Sequence, residues 1–252
     1  MDEIDAPPAD SRRTARGSPA EALESPAAFH YEPLFRAANR SLDVILVPPV
    51  IGLHPAVRDG LAFVAKALAG RGHRTIIVSF PGQHGHSGLF SVQRSCEQLA
   101  SMLNGVPSPH LLFGICSGAL AALAAAAGSR SARGVLCWDL ASRFDYTERV
   151  TTALTRRYGV RFCPATGHTP VQATDLVAAV QVPIAFGSPP RSFYTRPAQQ
   201  RELAALARRG TTFSVEGAGH FPGVPRGSEH IFTEFIARWA RHEPVSAAIE
   251  AE

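Results

Sequence analysis

Gly114-Ile115-Cys116-Ser117-Gly118 follows the apolar run His110-Leu111-Leu112-Phe113 and opens the alanine-rich segment Ala119 to Ala127. A buried strand therefore turns sharply into a helix, the arrangement of a nucleophile elbow. Glycines two residues before and after the apex let strand and helix pass closely enough to expose a reactive side chain. That apex is Cys116. Placing Ser117 there instead would put Ile115 and Ala119 in the glycine positions, and a branched side chain fits poorly in so tight a crossing. Sulfur rather than hydroxyl is the expected nucleophile.

A thiol at this place has a predictable chemistry. The amides that open the following helix favour negative charge, so Cys116 is expected to have a lowered pKa and to be partly thiolate near neutral pH. An acyl group on its sulfur is itself a thioester. Moving an acyl group from a thioester donor onto Cys116 is close to isoenergetic, and handing it to an amine or alcohol is downhill, so the residue suits acyl transfer as well as hydrolysis.

The remainder of the chain bounds these readings. With 252 residues, 45% of them apolar and 18% charged, it can build one substantial α/β core. Residues 1–28 are rich in Pro, Ala, Ser and charge and lack the basic start and apolar stretch of a secretion signal, so they read as a disordered tail before a single domain over 29–252. No apolar run approaches the ~18 residues of a membrane span. Cys96, Cys116, Cys137 and Cys163 are irregularly spaced, which argues against a disulfide framework or a zinc site and makes a reducing cytoplasm the expected compartment. Apart from Cys116 they read as small buried hydrophobes. The net charge of +4 comes from scattered arginines with no interleaved aromatic stripe, which argues against a nucleic-acid partner. Nothing in the pattern calls for a metal or an organic cofactor.

Strands and helices alternate. Phe29 to Phe35 reads as an edge strand that tolerates Pro33. Buried strands are expected at Val44–Val47, Arg74–Phe80, Leu111–Phe113, Gly134–Trp138, Val182–Phe186 and Thr211–Val215. Helices are expected at Gly60–Leu68, Ser91–Leu103, Ala119–Ala127, Ala198–Arg208 and His230–Arg241, with an irregular stretch from Leu140 to about Val180. This alternation implies a mostly parallel sheet with helices on both faces.

Three motifs in this order resemble the α/β-hydrolase fold over roughly residues 40 to 242. The first is the elbow. The second is Ser79-Phe80-Pro81-Gly82-Gln83-His84-Gly85-His86-Ser87-Gly88, similar to the family's Asp-x-Pro-Gly-His-Gly-x-Ser segment but with an extra residue and Ser where Asp is usual. The third is Glu216-Gly217-Ala218-Gly219-His220-Phe221, similar to the loop that bears the catalytic histidine. The resemblance implies that His220 takes a proton from Cys116. The family usually carries its acid after the strand corresponding to Val182–Phe186, but Gly187-Ser188-Pro189-Pro190-Arg191-Ser192 offers no carboxylate. Some members place the acid one strand earlier, where Asp139 stands. It is the candidate to orient His220, with a turn cap as its other reading and a Cys–His dyad as the alternative site.

The family's His-Gly of the oxyanion loop is replaced by Pro48-Pro49-Val50-Ile51-Gly52. Prolines have no N–H, so the analogy assigns the two oxyanion donors to the amides of Val50 and Ser117. Residues of about 140–180 occupy the place of a lid. There Arg156 and Arg157, and outside it His84 and His86, are candidate substrate contacts; the arginines read equally as a solvated basic helix, and the histidines also read as hydrogen-bonding braces of their turn. Two function classes follow. One is acyl transfer by a thioesterase, an acyltransferase or a lactone hydrolase, acting on a small acyl substrate, with coenzyme A or an acyl carrier protein as candidate carriers, in a biosynthetic pathway. The other is a lyase, cyclase or ligand-binding protein that uses the same pocket without acylation. The missing acid after Val182–Phe186 and the altered oxyanion loop favour the second; retention of both Cys116 and His220 favours the first.

Overall fold

A strand that is apolar at every position has no wet face, so it must lie in the middle of a sheet covered on both sides. The computed structural model describes residues 26–31, 42–142, 144, 146–164, 170–190, 192, 194–224, 226–241 and 248–249, and it places the strands this way. In chain order the elements are β1 (Ala27–Tyr31), β2 (Asp43–Val47), α1 (Pro55–Ala69), β3 (Thr75–Ser79), α2 (Val92–Asn104), β4 (His110–Ile115), α3 (Ser117–Gly128) and β5 (Ala132–Trp138). They continue with α4 (Glu148–Tyr158), α5 (Ala173–Ala179), β6 (Ile184–Ser188), α6 (Pro197–Leu206), β7 (Gly210–Val215), α7 (Ser228–Ala240) and β8 (Ala248–Ile249). All residues of β2, β3, β4 and β6 are buried.

The sheet order is β1-β3-β2-β4-β5-β6-β7-β8, with β1 antiparallel to β3 and the other pairs parallel. This is the α/β-hydrolase fold. The chain builds outward from β2 to β3, then returns past β2 to lay down β4 and moves the other way. That reversal opens a crevice at the carboxyl ends of β2 and β4. Val47 is in register with Gly114, so the Pro48-Pro49 loop lies beside the elbow.

Close packing holds the two together. A Cβ on Gly114 would stand 2.4 Å from Ala119 Cα, and one on Gly118 would stand 2.3 Å from the Pro48 carbonyl oxygen. Both contacts are with backbone, which cannot rotate away. On the other side of the sheet Trp138 meets Phe232 of α7 edge-on at 4.8 Å, and Phe113 lies 5.9 Å from the same ring. This packing anchors the strands whose ends carry the candidate residues.

Three expectations are corrected. The edge strand begins at Ala27 rather than Phe29, so Ala27 and Ala28 pair with β3 instead of belonging to a tail; residues 1–25 and 32–41 lie outside the described residues. The stretch from Leu140 to Val180 is not irregular, because it contains α4 and α5. Helix α4 is capped by Thr147, whose Oγ1 accepts from the Val150 amide, and it ends at left-handed Gly159. Val150, Leu154 and Tyr158 follow at helical spacing, but none of its residues is buried, so the apolar signal is thin. Finally, the short strand β8 pairs with β7 at Ser214 and Val215 and has no counterpart in the pattern reading. Among the described residues, no helix is long and apolar enough to cross a membrane.

The packing makes a direct prediction. Gly118→Ala drives a methyl group into the Pro48 carbonyl and is expected to cost about 3 kcal/mol, lowering Tm by roughly 6–12 °C. Gly128→Ala at the end of α3, where an added Cβ meets nothing within 4 Å, serves as the control. Its Tm is expected to hold or to rise, since Ala is favoured over Gly in a helix by about 1 kcal/mol. Thermal melts of the two variants check the pair.

Candidate active site

The backbone itself marks the site. Among the described residues, Cys116 (φ 55°) and Asp139 (φ 51°) are the non-glycine residues with positive φ. Each such residue costs on the order of 1–3 kcal/mol and persists only where surrounding structure imposes it. Here the surroundings are neighbouring strand ends. The Cys116 amide donates to the Trp138 carbonyl at 2.8 Å, and the Asp139 amide donates to the Gly187 carbonyl at 2.7 Å. Cys116 leaves β4 and enters α3; Asp139 leaves β5 one strand over.

His220 reaches Asp139 from the loop after β7. Its Nδ1–H donates to Asp139 Oδ2 at 2.5 Å. A carboxylate only accepts, so the proton resides on Nδ1 and Nε2 carries the free lone pair. Asp139 is fully buried, and its second oxygen accepts from Ser192 Oγ at 2.6 Å and Thr195 Oγ1 at 2.5 Å. Ser192 Oγ is itself fixed by the amides of Tyr194 and Thr195, each at 3.0 Å. The loop of His220 is tied down by Trp138, whose Nε1–H donates to the Gly219 carbonyl at 3.1 Å. Tyr194 covers the imidazole with a ring-centroid separation of 4.4 Å.

Cys116 departs from expectation. Burial pushes its thiol up to about 12, the charge of Asp139 pushes the same way, and the Ser117 amide pulls it down too weakly to compensate. The expectation of a lowered pKa is therefore corrected, and magnitudes explain why. A helix terminus contributes about 0.3–1 kcal/mol at an exposed site, under one pKa unit, whereas full burial shifts a group by up to about 3–5 units. Burial thus holds the thiol toward its protonated form.

The Val50 backbone lies at the end of β2 beside the elbow, in a turn closed by the Gly52 amide donating to the Pro49 carbonyl at 2.8 Å. Gln83, which pattern reading passed over, clamps this turn. Its Nε2 donates to the Pro49 carbonyl at 2.9 Å while its Oε1 accepts the Phe80 amide at 2.8 Å. Ser117 begins α3, two residues ahead of the expected start at Ala119.

The candidate substrate contacts separate. Arg156 lines a cavity of about 1030 Å³ between the lid and the loop after β3. Arg157 instead lies over the Tyr158 ring, 5.2 Å from its centroid. His84 bonds the Tyr158 carbonyl through Nδ1 at 3.0 Å and packs edge-on against His54, so it fastens the lid. His86 is half-buried and bonds the Ser87 carbonyl within its own turn. Neither histidine lines this cavity or the smaller one of about 470 Å³ around Asp139, Tyr194 and His220. The four cysteines are free, and Cys163, expected to be buried, is partly exposed on the wall of the large cavity.

Comparisons with known proteins agree on the fold. No protein-family model matches the sequence, nor does any curated protein. Among solved structures, an esterase from Thermogutta terrifontis is 19% identical at a TM-score of 0.65, over 86% of this chain and 93% of that one. The enol-lactonase from Burkholderia xenovorans LB400 is 16% identical at 0.62, over 86% and 96%. A proline iminopeptidase from Mycobacterium smegmatis is 10% identical at 0.66, over 86% and 94%.

The raised thiol pKa predicts a pH profile. Alkylation of Cys116 by iodoacetamide, followed by peptide mass spectrometry, is expected to accelerate continuously with pH and to show no plateau below pH 10. Partly exposed Cys163 is expected to be modified first at pH 7.5. A plateau for Cys116 below pH 8 would mean a resting thiolate.

Proposed function

We propose that this protein is an acyl-transfer enzyme, a thioesterase or acyltransferase that works through an S-acyl intermediate on Cys116. One observation carries the reading. An apex cysteine in a tight elbow shares its sheet edge with a histidine held in one tautomer by a buried carboxylate at 2.5 Å. With burial holding the thiol toward its protonated form, proton removal is proposed to accompany attack. Cys116 Sγ adds to the acyl carbon while its proton passes to His220 Nε2, and Asp139 stabilises the imidazolium. The amides of Val50 and Ser117 face the developing oxyanion. Collapse returns the electron pair, the leaving group departs with the proton from His220, and water or a second nucleophile then takes the acyl group from sulfur.

The large cavity suits the acyl portion of the substrate. Phe90, Phe144, Phe162 and Val171 line it, and Arg156 and Arg161 stand on its wall, a combination suited to an apolar chain that carries or is attached to an anionic group. A carrier such as coenzyme A or an acyl carrier protein, a biosynthetic setting and a cytoplasmic location fit this reading. The likeness to an esterase and an enol-lactonase supports ester or lactone carbonyls as electrophiles. The Pro48-Pro49 loop favours a second reading, a lyase, cyclase or binding protein that never acylates. Its other support, a missing acid, is weakened by the Asp139–His220 bond.

Intact-protein mass spectrometry after incubation with a panel of acyl-thioesters and activated esters tests the proposal. The expected result is a single acyl adduct that maps to Cys116 and is absent from Cys116→Ala. Shortening of its lifetime by added amines or alcohols identifies a transferase. Unmodified protein with every donor, together with full turnover by Cys116→Ala, would overturn the covalent route.

A further inference from the structure

The lid carries a polar group for which the fold provides no use. Tyr146 lies just before α4, and its Oη is buried without a hydrogen-bond partner among the described residues. Burying such a group without a partner is destabilising, and buried orphans are rare enough that each calls for a cause. The ring cannot easily swing the hydroxyl elsewhere. It stacks on Phe144 at 6.0 Å and leans on Phe162 at 5.4 Å. Phe162 is in turn lashed to the loop after β3, where the Phe90 amide donates to the Arg161 carbonyl at 2.6 Å and the Cys163 amide donates to the Phe90 carbonyl at 2.9 Å.

The hydroxyl lies near the elbow, close enough for Cys116 and the side chain of Ser117 to act on the Tyr146 phenol, although the approach to Ser117 falls short of hydrogen-bond geometry. The same residue forms part of the wall of the large cavity. Tyr146 thus stands on the cavity wall nearest the candidate nucleophile, although Cys116 itself does not line that cavity. Two consecutive prolines have meanwhile removed amides from the loop opposite.

Resting on the acyl-transfer reading, we propose that Tyr146 is a catalytic residue whose Oη donates a hydrogen bond to the acyl oxygen as Cys116 Sγ adds to the carbonyl carbon. In that step the S–C bond forms, the carbonyl π pair moves onto oxygen, and the thiol proton goes to His220. Tyr146 keeps its own proton throughout; burial holds its phenol well above the usual range, so it remains a donor. On collapse the pair returns to re-form the carbonyl and the leaving group takes the proton from His220. The lid thereby adds a third donor to the amides of Val50 and Ser117.

Tyr146→Phe removes this one oxygen and keeps the ring. With p-nitrophenyl acetate as the probe, kcat is expected to fall about 100-fold with KM within about threefold, as for loss of a single oxyanion donor. Tm is expected to hold or rise, because an unpaired buried hydroxyl has been removed. A kcat within threefold of the parent, or a loss of kcat that accompanies a lowered Tm, would overturn the proposal. Cys116→Ala run in parallel separates the two claims: full activity there refutes the acyl-transfer reading itself, whereas an inactive Cys116→Ala beside a fully active Tyr146→Phe refutes only the role of Tyr146.

Discussion

The site depends on one steric constraint, the crossing of β4 and α3 against the end of β2. Gly114 and Gly118 admit no side chain because backbone of α3 and of the Pro48 loop occupies the space. That contact forces the single connecting residue, Cys116, into a left-handed conformation and aims it out of the sheet edge. Asp139 repeats the device at the end of β5. Both strained residues are secured by amide hydrogen bonds to the adjacent strand, so the sheet ladder bears the cost of the site geometry.

Electrostatics then sets the order of events. Asp139 is enclosed by donors from His220, Ser192 and Thr195, which fix its side chain in place. Cys116 has no comparable support, since the Ser117 amide is outweighed by burial. A resting thiolate–imidazolium pair is therefore disfavoured, and the proposed chemistry follows the concerted path familiar for hydroxyl nucleophiles.

What could be read from the sequence divides by range. The elbow is local, and its Gly-x-Cys-x-Gly spacing encodes the crossing that the structure shows. The all-apolar strands marked themselves as central for the same reason. Asp139 and His220 are 81 residues apart, and nothing near Asp139 distinguishes a triad carboxylate from a turn cap. The loop after β6 looked uninformative because it lacks a carboxylate, yet its hydroxyls from Ser192 and Thr195 are what hold Asp139. The thiol pKa was misjudged because the helix terminus is visible in the sequence and burial is not. Helix α4 was missed because a helix without buried residues leaves little apolar pattern, although Thr147 and Gly159 mark its ends.

The central claim is that Asp139, acting through His220, activates Cys116. Asp139→Asn tests it most directly, because Asn is nearly isosteric and tolerates left-handed backbone. The amide can no longer stabilise the imidazolium and favours the wrong tautomer. The rate at which Cys116 acquires an acyl group is expected to fall by about 10³–10⁴ while the variant remains folded by circular dichroism. An acylation rate within tenfold of the parent would show that Asp139 is a structural cap and that Cys116 and His220 act without it.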